Sequence, residues 1–405
     1  MSANELTRRQ FGTALTGLVI AFSMAPRMAS AAEGTARLPR MLAENKRLDS
    51  WLRVDPVGTV TVFTGRVELG QGATTALAQI AAEELDIGFM RVRMIPVDTS
   101  RSPNEGVTAG SNSIEAGGAA LRSAAAEARS ILLERASQHL SVPADQLIVD
   151  DGLIFTKDGA KKTSYWELAG ENPLAREATG SVPAKPAKEH KIVGQPVQRL
   201  DIPDKVMGRP VFVQDLRLPG MVYGRVVRPP SYGAELTGLD DSGVRKMPGV
   251  ISVVRDGRFL GVVAEREEQA IAARAALMKA AKWRVPEGLP DPATVHEYLK
   301  TRPDIDTKTV NEKSGAAGPA AKTLAATYRK PYLAHASIGP SCAAAGIIDD
   351  NLTVWSHTQG PYPLRSDLSK ATGLPLDKVR VIHTPGAGCY GHNGADDAAL
   401  DAALL

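Results

Sequence analysis

The stretch that decides the fold is Val67-Glu68-Leu69-Gly70-Gln71-Gly72, a glycine-rich turn between two regular patterns. Ahead of it, residues 59–67 alternate in polarity and are rich in β-branched side chains, which predicts a strand. Behind it, apolar residues recur at helical spacing through residues 74–85, which predicts a helix. A strand, a glycine turn and a helix in this order predict an α/β fold.

Two more glycine loops stand in similar places. Loop 1 (residues 68–72) is joined by loop 2, Thr108-Ala109-Gly110-Ser111-Asn112-Ser113, and by loop 3, Gly386-Ala387-Gly388-Cys389-Tyr390-Gly391. A loop before a helix points backbone N–H groups and a helix N-terminus at an anion. Any one of them is more often a plain tight turn. Together they predict a large, anionic ligand rich in hydrogen-bonding groups, although none completes a Rossmann or Walker motif.

Composition shifts divide the chain into six predicted segments. They are a leader (1–31), a first loop-bearing segment (45–170), a Pro/Lys/Gly-rich linker (171–200), a compact α+β unit (201–285), a connector (286–322) and a second loop-bearing segment (323–405). In the α+β unit we expect strands near 211–213, 221–228, 250–255 and 259–264, and a helix over 267–282. The helix–turn–strand–loop order of the first segment recurs over residues 362–391, either as an internal repeat or by chance.

The leader is predicted to be a twin-arginine signal peptide. Arg8-Arg9 precede an uncharged apolar run over residues 12–26, and Ala29-Ser30-Ala31 offers a cleavage site. The run is shorter than the roughly 20 residues that cross a bilayer, and its glycines argue against the alternative, a buried helix. We therefore expect export of the folded protein to the periplasm, a route commonly used by cofactor-bearing proteins.

Composition excludes several classes of function. The 405 residues are 43% hydrophobic and 23% charged, as in a multidomain globular protein, and a net charge of +3 without a basic block argues against nucleic acid as a partner. Two cysteines are too few for an iron–sulfur cluster, and seven histidines show no zinc-binding spacing. Glu83 and Glu84 are expected on a solvated helix face, whereas His357 and Gln359 are expected on one strand.

Together, the three loops resemble the molybdenum-binding subunit of the xanthine dehydrogenase/aldehyde oxidase superfamily, in the branch of the isoquinoline 1-oxidoreductase and nicotinate dehydrogenase large subunits. The resemblance rests on three stretches of sequence, which are residues 67–72, residues 108–111 and Gly388-Cys389-Tyr390-Gly391-His392-Asn393-Gly394. Residues 224–230 resemble part of the a/b hammerhead domain. The resemblance implies a multidomain fold of α/β and α+β class, with molybdopterin-binding domains around an aldehyde oxidase/xanthine dehydrogenase a/b hammerhead domain.

The resemblance also implies a cofactor and its contacts. The cofactor would be molybdenum-molybdopterin in its cytosine dinucleotide form, with the metal held by the pterin dithiolene and by no side chain of this chain. In loop 1, Leu69, Gly70 and Gln71 would contact it, Gln71 through its amide near the metal-oxo group. In loop 2, Gly110, Ser111 and Ser113 would contact the cofactor. In loop 3, Gly388 and Tyr390 would contact it. Cys389 and Tyr390 depart from the commoner Gly-Gly-Gly-Phe-Gly version of loop 3.

The implied reaction oxidises an N-heteroaromatic compound or an aldehyde with oxygen from water. Electrons would pass to 2Fe-2S clusters on a small partner subunit and then to a cytochrome c. The family's general-base glutamate lies in a Gly-x-Gly-Glu block that this sequence lacks, so we expect no catalytic residue here. An apolar, uncapped helix at residues 401–405 leads us to expect truncation, a C-terminal half as partner, and inactivity of the chain alone. The alternative is a non-catalytic exported fragment or binding scaffold that keeps the fold without the glutamate.

Overall fold

The computed structural model describes residues 37–170, 172–288, 290–302, 322 and 324–405. The predicted leader and most of the predicted connector lie outside the described residues. Everything below belongs to the unit formed by residues 38–405. In the described part of the chain, no helix has the length and apolar character that crossing a bilayer requires.

The first loop-bearing segment is a small sheet covered by helices around one hydrophobic core. Strand β2 pairs antiparallel with β1 and parallel with β3, and the core includes Trp51, Leu77 and Leu121. The elements are α1 (Arg40–Glu44), β1 (Leu52–Asp55), β2 (Thr59–Val62), α2 (Ala73–Leu85), β3 (Val92–Met94), a π-helical turn (Ser113–Gly118) and α3 (Ala119–Leu140). The predicted strand over residues 59–67 is thus shorter than expected.

A three-stranded antiparallel meander follows α3. It consists of β4 (Leu147–Asp150), β5 (Leu153–Thr156) and β6 (Lys162–Ser164), in the order β4-β5-β6. The first two strands form an antiparallel hairpin. The hydroxyl of Tyr165, which is fully buried just after β6, donates to the carbonyl of Leu85 at the end of α2. The meander therefore belongs to the same core as the first sheet.

Residues 172–200, which we call the strap, have irregular backbone with one short helical turn, Ala187–Glu189. Three buried glutamates hold the strap against α2 and α3. Glu83 Oε2 accepts the N–H groups of residues 191, 192 and 193 at 2.6–3.0 Å. Glu84 accepts the N–H of residue 185, and Glu127 those of residues 179 and 180. The prediction that Glu83 and Glu84 lie on a solvated face is wrong, because each carboxylate is needed to pair strap N–H groups.

The middle unit is α+β, and two of its strands were not predicted. Its elements are α4 (Ile202–Val206), β7 (Tyr223–Val226), β8 (Glu235–Leu239), β9 (Val250–Asp256), β10 (Phe259–Ala264), α5 (Glu267–Ala280), β11 (Ala281–Arg284) and α6 (Val295–Lys300). The unit has a three-stranded sheet in the order β7-β10-β9 and a two-stranded sheet, β11-β8. Strands β8 and β11 are the two that the sequence did not predict. The strand predicted near 211–213 is wrong. A single turn of 3-10 helix, Val213–Asp215, starts there because the Asp215 carboxylate accepts the N–H of Phe212.

The last unit repeats the topology of the first. Its elements are β12 (Ala343–Ile348), β13 (Asn351–Ser356), α7 (Pro361–Thr372), β14 (Val379–His383) and α8 (Ala395–Leu404). Strand β13 pairs antiparallel with β12 and parallel with β14, as β2 does with β1 and β3. The order β-β-α-β-α therefore occurs twice, which favours the internal repeat over a chance recurrence.

The two repeats meet along a short backbone seam. The Thr99 N–H donates to Val381 O at 3.0 Å, and the His383 N–H donates to Val97 O at 2.8 Å. Asp98 between them is fully buried and accepts two hydrogen bonds from the Arg380 guanidinium, at 2.6 and 3.0 Å. Loop 1 follows β2 and loop 3 follows β14, so this seam brings the loops of the two repeats to one place.

Candidate functional site

All eight residues predicted to bind a cofactor line a single cavity of about 500 Å³. This volume falls in the usual range for small-molecule sites. The structure thus brings together three loops that are far apart in sequence. The lining comprises Leu69, Gly70, Gln71, Thr108, Ala109, Gly110, Ser111, Ser113, Gly388, Cys389 and Tyr390.

Loop 1 is held in shape by its own side chains. Gly70 and Gly72 have φ values of 107° and 82°, a left-handed region that favours glycine. Gln71 Oε1 accepts the Leu69 N–H at 2.6 Å, and Gln71 Nε2 donates to Val67 O at 2.9 Å. The Gln71 amide that was predicted to contact the cofactor therefore also braces the loop that carries it.

Glu68, at the start of loop 1, was given no role by the sequence analysis, yet it makes several contacts within the loop. Its carboxylate accepts the N–H groups of Gly70 at 2.8 Å, Gly72 at 2.9 Å and Thr74 at 3.1 Å. Two N–H groups of loop 1 and one in the first turn of α2, that of Thr74, thus face Glu68 rather than the external anion that we expected, so that expectation is wrong for these three donors. The sequence did contain a signal for this contact, because an acidic residue just ahead of a helix is typical of N-terminal capping.

At loop 2 no side chain of the described residues caps the helix N-terminus. Ser111 has a φ of 61°, and the helix begins at Ser113 with a π turn, a feature frequent at functional sites. The N-cap residue Asn112 makes no side-chain capping hydrogen bond. Within the described residues, the hydroxyls of Ser111 and Ser113 have no hydrogen-bond partner. The hydroxyls at this helix end are thus free donors beside the cavity, whereas at the start of α2 the Thr74 N–H is already paired with Glu68.

A buried ion pair fixes loop 2 against loop 1. The Arg66 and Glu105 side chains, 3% and 0% exposed, approach to 3.3 Å. Glu105 Oε2 also accepts the Thr64 hydroxyl and the Gly65 N–H, both at 2.7 Å. Arg66 donates in turn to the carbonyl of Val107 at 2.9 Å, one residue before loop 2. The pair sets the spacing of the two loops.

Loop 3 is fixed by side chains behind it. Gly386 leaves no room for a Cβ, which would run into the ring of His357. Gln359 Nε2 donates to Thr108 O at 3.2 Å and to Gly391 O at 3.1 Å, and so joins loops 2 and 3. Sequence reasoning had placed Gln359 only in an alternating strand pattern. At the start of α8, the Asn393 side chain accepts the Ala395 N–H at 3.0 Å, so this helix end too is capped internally.

A second, smaller cavity of about 230 Å³ adjoins the first and shares Leu69, Gly70 and Gly388 with it. The buried His357 lines this cavity, and a second buried histidine, His383, contacts the backbone of Glu68, which lines it too. Burial lowers the pKa of His383 to about 4, against the opposing effect of carbonyl contacts from Glu68 at 3.0 Å and Thr358 at 3.1 Å. His383 is therefore neutral at pH 7 and donates one hydrogen bond. Burial also lowers the pKa of His357, whose Nε2 has no hydrogen-bond partner in the described part of the chain.

Comparison with known proteins identifies the family. Two family models described as molybdopterin cofactor-binding domains match residues 4–197 and 300–404. The B subunit of nicotinate dehydrogenase from Pseudomonas putida is 37% identical over 89% of this chain and 31% of its own length. The beta subunit of isoquinoline 1-oxidoreductase from Brevundimonas diminuta is 30% identical over 64% of this chain and 38% of its own length.

A third relative, the membrane-bound aldehyde dehydrogenase [pyrroloquinoline-quinone] of Gluconacetobacter polyoxogenes, is 27% identical over 99% of this chain and 54% of its own length. The chain thus spans between about a third and about half of the length of these curated relatives. Both repeats, and with them all three loops, lie inside the two matched regions. The chain belongs to the xanthine dehydrogenase family of molybdenum-binding subunits.

Proposed function

We propose that this chain forms the cofactor cavity of a molybdenum-dependent oxidoreductase that oxidises an N-heteroaromatic compound. The observation that carries the proposal is the uncapped helix start at Ser113, which presents free hydroxyl groups to a cavity bounded by all three loops. An anion is stabilised at such a helix N-terminus by the free N–H groups and the helix dipole. The match of both repeats to molybdopterin-binding domains supports the choice of anion.

The cavity residues fit a pterin dinucleotide. Gly110, Ser111 and Ser113 would hold its phosphates or pterin through N–H and hydroxyl donors, and Leu69, Gly70 and Gln71 would lie along its pterin side. Gly388 and Tyr390 would lie beside the metal. No atom of the described residues lies within 4 Å of the place where a Cβ of Gly70 would stand, which leaves that face of loop 1 open to a ligand. When bound, the group would accept two electrons from the substrate, while the chain orients it and limits its contact with water.

The substrate class rests on the relatives. Nicotinate and isoquinoline, in the printed names of two relatives, are both N-heteroaromatic rings. An aldehyde is the second candidate, supported by the name of the Gluconacetobacter relative. The non-catalytic alternative is not favoured, because these relatives are named as dehydrogenases or oxidoreductases.

The remaining parts of the complex belong to the same proposal. The cofactor would be the cytosine dinucleotide form, and residues 201–285 the a/b hammerhead domain. The two cysteines of the chain are too few to hold an iron–sulfur cluster, so the 2Fe-2S clusters would lie on a small partner subunit. A cytochrome c would then accept the electrons. The general-base glutamate would come from the C-terminal part of the molybdenum subunit, as the family resemblance implies.

Replacing both Ser111 and Ser113 by alanine tests the cofactor assignment. The double variant removes two hydroxyl donors to a charged ligand, each worth about 1.5–3 kcal/mol, so we expect the bound molybdenum and pterin to fall at least about tenfold. Metal analysis and pterin fluorescence of the chain purified with its partner subunits measure this. The control is Ser130→Ala on α3, outside the cavity lining. Full molybdenum content in the double variant would contradict the proposal.

Export to the periplasm is proposed from Arg8-Arg9 and tested separately. Replacing both arginines by lysine should leave the protein in the cytoplasm, because the signal would lose the residue pair that defines it. Cell fractionation of the wild type and the Arg8→Lys/Arg9→Lys variant measures the distribution. Unchanged delivery of the variant to the periplasm would rule the signal out.

A further inference from the structure

Loop 1 contains an anion of its own, at the place where an external anion was expected. In sites built from a strand, a loop and a helix, the N–H groups at the helix start bind a phosphate. Here the Glu68 carboxylate accepts three N–H groups of the loop and the helix start, from residues 70, 72 and 74. We propose that Glu68 is a positioning residue, which fixes loop 1 so that Leu69, Gly70 and Gln71 face the cavity in one arrangement.

The Glu68 carboxylate shapes loop 1 because its two oxygens bind N–H groups at separate points along the loop and in α2. Oε1 accepts from Gly70 and Gly72, while Oε2 accepts from Thr74 in the first turn of α2. Between these points Gln71 pairs with the N–H of Leu69 and the carbonyl of Val67. The loop is thereby closed on itself before any ligand arrives, and such preorganisation lowers the entropic cost of binding.

The backbone of Glu68 connects the loop to the second repeat. Its carbonyl lies 3.0 Å from Nε2 of His383, which is the last residue of β14 and is fully buried on that strand. Loop 3 begins three residues later. The same strand, β14, therefore positions both loop 1 and loop 3.

The end of the strap also supports loop 1. Arg199 Nη1 donates to the carbonyl of Gly70 at 2.9 Å, and Arg199 Nη2 lies 3.7 Å from Glu68 Oε1. Asp201 holds the guanidinium through two hydrogen bonds at 2.7 and 2.9 Å. Glu68 thus contacts the rest of loop 1, the start of α2, β14 and the strap.

The test compares Glu68→Gln and Glu68→Ala with Glu134→Gln, an exposed glutamate of α3. Glutamine keeps the shape of the side chain but turns an NH₂ group toward one or more N–H donors, whereas alanine removes every acceptor. In the metal-free chain, hydrogen exchange of a peptide covering residues 69–75 should accelerate about tenfold or more in the glutamine variant and further in the alanine variant. Strap peptides over residues 179–193 and the Glu134→Gln protein should exchange as in the wild type.

A second readout concerns the cofactor and rests on the proposed function. In the enzyme purified with its partners, both Glu68 variants should lose molybdenum, and the visible spectrum of what remains bound should shift, while Glu134→Gln changes neither. Unchanged exchange in Glu68→Ala would overturn the proposal. Faster exchange with an unchanged cofactor content and spectrum would reduce Glu68 to a helix cap and also overturn it. If the wild type itself binds no molybdenum, the proposed function fails, and the exchange data alone still decide whether Glu68 shapes the loop.

Discussion

Replacing Glu105 by alanine is expected to lower the free energy of unfolding by about 3–5 kcal/mol, because it leaves the buried Arg66 guanidinium without its partner. Both side chains of the pair are almost fully buried. The Thr64 hydroxyl and the Gly65 N–H would lose their acceptor in the same step. Urea unfolding of the variant and the wild type, followed by circular dichroism, measures the difference.

Glu44→Ala is the control for this prediction. Glu44 also pairs with an arginine, Arg40, but both side chains are exposed, at 49% and 82%. Exposed pairs contribute at most about 1 kcal/mol, so this variant should unfold almost as the wild type does. Equal effects of the two substitutions would show that burial of the Arg66–Glu105 pair has no special role in stability.

Replacing Glu83 by alanine is expected to release the strap. Three strap N–H groups lose their acceptor, each at a cost of about 1–3 kcal/mol unless water reaches it, so the free energy of unfolding should drop by at least about 3 kcal/mol. Limited proteolysis should then cut within residues 179–193, where the wild type is protected. Glu189→Ala, at an exposed glutamate of the strap, should leave both measurements unchanged.

The same carboxylate gives the strap a defined response to acid. Burial raises the pKa of Glu83, but the three N–H hydrogen bonds and Lys185 outweigh it, so the folded pKa lies below the usual 4.5. A lowered pKa means that the stabilisation is complete above about pH 4.5 and is lost as the pH falls through the folded value. The wild type should therefore lose stability below that pH more steeply than Glu83→Ala. Parallel curves for the two proteins would contradict the assignment.

Local patterns predicted the helices and the glycine loops well. The helix expected over residues 74–85 begins one residue earlier, at Ala73, and β10 occupies the predicted residues 259–264. These elements follow from hydrophobic spacing along a few turns, which the sequence displays directly. The eight candidate residues were found through their resemblance to a family, and the structure adds that they share one cavity.

The features that sequence reasoning missed depend on partners distant in the chain. Nothing next to Glu83 indicates that residues 191–193 will need an acceptor more than a hundred positions later. The predicted strand over residues 59–67 ends at Val62, because Gly65 instead donates its N–H to Glu105. Gln359 was assigned to a strand, yet its contacts are with loops 2 and 3. Local periodicity carries no information about such pairings.

The seam between the repeats has a consequence for the timing of folding. The Thr99–Val381 pair closes a loop of 282 residues, and the ion pair of Asp98 with Arg380 has the same separation. Contacts this distant in sequence slow folding, because the chain loses the entropy of a long loop before any contact compensates for it. During synthesis, the first repeat emerges complete while the opposite wall of the cavity is still untranslated. A ligand that needs all three loops can therefore bind only after loop 3 has been made and β14 has docked.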